Sequence, residues 1–133
     1  LARMYAYLYQ DTATNYTILH SLDGYDEVSL TCPTKVITPK MEGMLNAATF
    51  GLQPLNQIDI QGGTTIEESA QLFTTIISGK GTAAQNNVVC ANAGMAIATV
   101  NGCSPLDGFE LAQESLLAGK GLKALQTMQE LSK

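Results

Sequence analysis

With 133 residues, 45% of them hydrophobic and 14% charged, the chain is long enough for one domain with its own core and too apolar for intrinsic disorder. A compact domain of this mass buries roughly two-thirds of its extended surface and leaves roughly 6,700 Å² in contact with water. Twelve acidic residues against seven basic ones give a net charge of −5, and only Lys120 and Lys123 lie close together, which speaks against a nucleic-acid binder's phosphate-neutralising face.

Leu1, Tyr5, Leu8 and Tyr9 fall at helical spacing, so Leu1–Gln10 is predicted as a helix. It opens without an initiator Met and without a Ser, Thr, Asp or Asn cap, and the expectation is that it continues a longer chain upstream. Arg3 is followed by no apolar h-region of a signal peptide. Residues 11–15 form a polar turn, and the β-branched and apolar run Tyr16-Thr17-Ile18-Leu19 a buried strand. Residues 21–27 form a loop with Asp23-Gly24 as its turn signal. Val28–Leu30 and Thr34–Thr38 are expected to be extended, interrupted by Cys32-Pro33. Pro39–Gly43 is a turn from which Met44–Phe50 returns as an antiparallel partner, and residues 51–60 connect onward through Pro54.

From Gly62 the periodicity switches to helices. Thr64-Thr65-Ile66-Glu67-Glu68 offers two overlapping capping boxes, followed by the face Ile66, Ala70, Phe73 and Ile77, with Gly79 as the stop. Residues 82–100 form a second helix with Val88, Ala91, Met95 and Ala98 inward. Ser104-Pro105 caps and opens a third, whose core face is Leu106, Phe109, Ala112 and Leu116. After a break at Gly119–Gly121, Leu122, Leu125, Met128 and Leu131 stripe a last helix. The similar segments Ile77-Ser78-Gly79-Lys80-Gly81 and Leu117-Ala118-Gly119-Lys120-Gly121 lack the phosphate-loop pattern and read as helix C-caps. The fold class is therefore α/β, a few strands with a β-hairpin packed by four to five helices, in one unit over residues 1–133.

Cys32, Cys90 and Cys103 are odd in number and show no Cys-x-x-Cys spacing, and His20 is the sole histidine. A structural zinc site lacks ligands, and reduced thiols in a cytoplasmic protein are the better reading. The longest apolar stretch, residues 88–100, is too short to span a bilayer.

The strongest chemical signal is Asp23, Asp26 and Glu27, three carboxylates in five positions directly after an apolar strand. Mg²⁺ takes one or two carboxylates plus water and substrate phosphate oxygens, and the pair Asp26-Glu27 meets that demand without histidine. A solvated acidic turn is the bland alternative. His20, at the end of the same strand, reads as a hydrogen-bonded structural residue rather than a base. Gly62-Gly63-Thr64 could offer free amides to an anion, but an ordinary helix cap explains it as well. Asn92 falls on the apolar side of its helix and is expected to bond backbone or the preceding loop rather than substrate.

The run His20-Ser21-Leu22-Asp23-Gly24-Tyr25-Asp26-Glu27 resembles the His-Gly-x-Asp-Gly-x-Asp-Glu segment of the anthranilate phosphoribosyltransferases, within glycosyltransferase family 3. The likeness continues through Thr34-Lys35-Val36, Phe50-Gly51-Leu52, Gly62-Gly63, Glu67-Glu68-Ser69-Ala70, Gly79-Lys80-Gly81, Asn92-Ala93 and Ser115 to Lys120, in the right order along the chain. The resemblance implies the C-terminal portion of a phosphoribosyltransferase-type catalytic domain, without its N-terminal helical, dimerising domain and its pyrophosphate-binding Gly-Thr-Gly-Gly-Asp loop. It implies a parent, a homodimer, that transfers the phosphoribosyl group of phosphoribosyl pyrophosphate to anthranilate, with Asp26 and Glu27 helping to hold Mg²⁺. The isolated chain is then expected to be inactive. Ser21 departs from the pattern, standing where glycine is usual. Pyrimidine nucleoside phosphorylases and a non-catalytic, nucleic-acid-binding relative are the rival readings.

Overall fold

The computed structural model describes residues 1–12 and 14–132. Its elements run α1 (Ala2–Tyr9), β1 (Ile18–Ser21), β2 (Thr34–Ile37), β3 (Glu42–Leu45), then α2 (Ile66–Ile77), α3 (Ala83–Asn101), α4 (Pro105–Leu117) and α5 (Lys120–Leu131). Single 3₁₀ turns at Ala47–Phe50 and Gln57–Ile60 lie in the connection from sheet to helices. The polar turn expected over 11–15 includes Ala13, which lies outside the described residues.

The three strands form an antiparallel meander in the order β1-β2-β3, with Ile18 opposite Ile37 and Ile37 opposite Glu42. The β2–β3 hairpin closes where the Thr38 amide donates to the Met41 carbonyl at 2.8 Å. One face of the sheet buries Val36 and Leu45 against α3 and α4, where Cys90, Ala91, Met95, Phe109 and Ala112 complete the core. Phe50 joins from the connection, its ring 5.7 Å from that of Phe109 in a tilted pair.

Helices α2, α3 and α4 start where side chains satisfy orphan backbone donors. At α4 the Ser104 hydroxyl accepts from the Asp107 amide at 3.1 Å while the Asp107 carboxylate accepts from the Ser104 amide at 3.2 Å. Thr82 and Gln85 form the same reciprocal box at α3. Gly79 and Gly119 adopt φ of +73° and +68°, the left-handed conformation of helix C-caps, so the two Gly-Lys-Gly segments are structural stops. Helices α3 and α4 are in backbone contact. A Cβ placed on Gly108 would lie 2.2 Å from the Gly94 carbonyl oxygen, and one on Gly94 would lie 2.6 Å from the Phe109 amide nitrogen. Only glycine at both positions permits that approach.

Four expectations need correction. The returning strand is Glu42–Leu45 rather than Met44–Phe50, of which Ala47–Phe50 is a 3₁₀ turn. β1 begins two residues later than the Tyr16 start and runs to Ser21, because pairing with β2 rather than β-propensity sets its ends. Val28–Leu30 is buried but joins no strand: Leu30 takes a positive φ of 61°, which breaks any ladder. The stripe on α2 is not core. Ile66 is 83% exposed and Phe73 52%, and the helix buries no residue. The chain as a whole exposes 8647 Å², well above the roughly 6,700 Å² of a compact monomer of its mass.

Candidate functional site

The connection from β1 to β2 carries the acidic cluster, and its two ends are tied down differently. At the β1 end, the Ser21 amide donates to the Tyr25 carbonyl at 3.0 Å and the Gly24 amide to the Ser21 carbonyl at 3.2 Å, closing a turn in which Gly24 has a φ of +94°. Ser21 is fully buried, and its hydroxyl lies 3.1 Å from those of both Ser29 and Thr34. Ser21 thus points inward. Its hydroxyl joins an internal network.

Asp23 turns into the same network. Its Oδ2 accepts from the Ser29 hydroxyl at 3.0 Å and from the Thr31 hydroxyl. Its Oδ1 is buried without a hydrogen-bond partner among the described residues. Burial pushes this carboxyl up, but the hydroxyls of Thr31, Ser21 and Ser29 outweigh it and hold Asp23 below its ordinary value of 3.8. Asp23 is therefore a structural anion, separated in role from its two neighbours.

Asp26 and Glu27 are exposed, and their carboxylates accept no hydrogen bond from the described residues. With Tyr25, Val28 and Ser29 they line one wall of a cleft of about 470 Å³, whose other side is Ile60 together with Val88, Val89 and Asn92 of α3. Asn92 Oδ1 accepts from the Val28 amide at 2.8 Å, and its Nδ2 donates to the carbonyls of Val28 and Val88, both at 2.9 Å. The expectation that Asn92 would bond backbone holds. Among the described residues no group of three or more metal-ligating side chains converges, and Asp26 and Glu27 are the carboxylates in the cleft lining. Oxygen donors open to water match a hard cation that keeps part of its hydration shell.

The remaining candidates lie elsewhere. His20 is exposed on β1 opposite Lys35, makes no side-chain hydrogen bond among the described residues and does not line the cleft, so the expected hydrogen-bonded structural role is not seen. At Gly62-Gly63-Thr64 the Glu68 carboxylate takes the Thr64 amide at 2.8 Å, and Thr65 caps the Glu68 amide at 3.1 Å. A carboxylate of the chain already occupies the place an anion would take. Sequence reasoning missed Ser29, Thr31 and the apolar wall of Ile60, Val88 and Val89. The alternating hydroxyls at 29 and 31 were the available signal for the first two.

The geometry is that of an α/β unit with an exposed acidic pair at a cleft. Residues 1–122 match the family described as "Glycosyl transferase family, a/b domain". The chain belongs to that family. It is 74% identical over 132 residues to an anthranilate phosphoribosyltransferase of Flavobacterium psychrophilum, an alignment covering 99% of this chain and 40% of the relative. The fold resembles the Thermus thermophilus anthranilate phosphoribosyltransferase with a TM-score of 0.77 at 24% identity, covering 85% of this chain and 34% of that one. It also resembles the Saccharomyces cerevisiae enzyme in complex with PRPP and Mg, with a TM-score of 0.76 at 24% identity over 94% of this chain and 35% of that one. At these identities the structural likeness is one of fold. The chain spans about 40% of the length of the curated relatives it matches. No helix among the described residues is long and apolar enough to cross a membrane.

Proposed function

We propose that residues 1–133 form the C-terminal portion of the α/β catalytic domain of an enzyme that transfers the phosphoribosyl group of phosphoribosyl pyrophosphate to anthranilate, releasing pyrophosphate. The observation that carries this reading is the position of Asp26 and Glu27 at the cleft with free carboxylates, on the loop whose sequence bears the family resemblance. The 74% identity to a relative named for that reaction supports it, as does a neighbour of the same fold solved with PRPP and Mg.

Asp26 and Glu27 would hold the metal through oxygen. The rest of the cleft lining supplies no thiolate or imidazole, which suits Mg²⁺ over softer ions. Bound there, Mg²⁺ supplies positive charge against the pyrophosphate leaving group as the ribosyl carbon becomes cationic. Val88, Val89 and Ile60 give the opposite side an apolar surface. Groups that cradle the pyrophosphate and orient the anthranilate ring belong, on this reading, to the remaining 60% or so of the parent, so the chain alone turns nothing over.

A chimera tests the assignment. The corresponding 132-residue segment of the Flavobacterium psychrophilum relative is replaced by this chain, and consumption of anthranilate is followed by its fluorescence with phosphoribosyl pyrophosphate and Mg²⁺ present. Turnover within about tenfold of the unmodified relative, abolished by Asp26→Asn with Glu27→Gln, is the expected result. A folded chimera without turnover, beside an active relative, would overturn it.

A further inference from the structure

We infer that Asn92 is a positioning residue for the acidic pair: its carboxamide, fixed on α3, clamps the Val28 peptide and thereby sets where Asp26 and Glu27 stand over the cleft. The inference rests on reading those two carboxylates as metal ligands. It goes beyond that reading by assigning their geometry to a residue 64 positions away in sequence.

Asp26 and Glu27 occupy a two-residue bridge between pinned points. On one side the Tyr25 carbonyl is held by the Ser21 amide at 3.0 Å. On the other, both backbone polar groups of Val28 are taken by one side chain, at 2.8 and 2.9 Å. An adjacent strand would normally pair such an amide and carbonyl. No strand is there, because the positive φ of Leu30 ends the extended run, so Asn92 supplies a side-chain substitute. Neither carboxylate has a hydrogen bond of its own among the described residues, so only the backbone anchors fix where they stand. Asn92 also donates to the Val88 carbonyl one turn earlier on α3, which uses both protons of its Nδ2 and fixes the amide's orientation. The clamp refers the loop to the helix that forms the far side of the same cleft.

Asparagine is the side chain this demands. Aspartate keeps an acceptor for the Val28 amide but sets oxygen against the Val28 and Val88 carbonyls. Alanine leaves the Val28 amide and carbonyl without their partner. Glutamine keeps the chemistry and displaces it by a methylene.

The test uses the chimera described above with Mn²⁺ as the probe, its binding followed by loss of the free-ion electron paramagnetic resonance signal where circular dichroism shows each variant folded. Asn92→Asp and Asn92→Ala are expected to weaken Mn²⁺ about tenfold or more, as loss of a ligand-orienting partner does, and to accelerate exchange of the Val28 amide proton. Asn92→Gln stands in for Asn92→Ala if the latter does not fold. Met95→Ala, a core truncation on the same helix, is expected to lower the melting temperature and leave Mn²⁺ affinity unchanged. Folded Asn92 variants with unchanged affinity, or Met95→Ala weakening Mn²⁺ equally, would overturn the clamp while the carboxylate reading stands. No Mn²⁺ bound by the unsubstituted chimera, or equal binding after Asp26→Asn with Glu27→Gln, would overturn the carboxylate reading, and the clamp with it.

Discussion

The Ser29 hydroxyl donates to Asp23 Oδ2 at 3.0 Å, linking the two arms of the loop beneath the acidic pair. Ser29 is 3% exposed, so its hydroxyl has little water to turn to if the carboxylate is removed. Asp23→Ala is expected to cost about 1–3 kcal/mol, the range for stranding a buried partner of a charged group. Because hydroxyls hold the Asp23 pKa below 3.8, its contribution is complete above that value and is lost as pH falls through the lower folded value. Urea unfolding at neutral pH and below pH 4 should therefore show a gap between the native chain and Asp23→Ala that narrows on acidification.

The contact between α3 and α4 leaves no room at Gly108. Its added Cβ would meet the Gly94 carbonyl rather than a flexible side-chain end, so the helices must separate. Gly108→Ala is expected to destabilise by about 1–3 kcal/mol or more, enough to lower the melting temperature by several degrees. Gly62→Ala, where an added Cβ meets nothing within 4 Å, should leave the thermal transition nearly unchanged. Calorimetry of both variants decides the comparison.

Removing the α4 cap has a two-part signature. Ser104→Ala deletes the acceptor for the Asp107 amide and should cost about 1 kcal/mol in chemical denaturation. The Ser104 hydroxyl and amide also hold the Asp107 carboxyl below its ordinary value of 3.8. An NMR titration of Asp107 should show its midpoint rising in Ser104→Ala. An unmoved midpoint would mean that the helix N-terminus, rather than the serine, sets it.

The three cysteines should separate by reactivity. Cys90 is 2% exposed, and burial pushes its thiol pKa above 9.0, so little thiolate exists at neutral pH. Cys32 and Cys103 are free and half-buried. Labelling with a disulfide reagent at pH 8 should modify those two in the native state and reach Cys90 only on unfolding. Native labelling of Cys90 would contradict its place in the core.

Legibility in the sequence divided along physical lines. Local rules located what neighbours in sequence decide: the Ser104-Pro105 helix start, the Gly79 and Gly119 stops and the inward face of α3 were all readable from capping chemistry and periodicity. The acidic pair was visible as two adjacent residues, but its place at a cleft with α3 was not. Non-local pairing was not. Val28 and Leu30 looked like a strand because they are apolar, yet a side chain on α3 takes the backbone partners of Val28. The stripe on α2 was real as a pattern, but periodicity reports that a face wants burial, not what is available to bury it.

The Gly94–Gly108 contact acquires a meaning for chemistry that packing alone does not suggest. Gly94 lies two residues beyond Asn92 on α3, so the place where two helix backbones touch is also the datum from which the loop clamp is measured. Backbone against backbone has no rotamers in which to absorb error. Substitutions at this contact on α4, which contributes no residue to the cleft lining, should therefore register in the exchange of the Val28 amide proton.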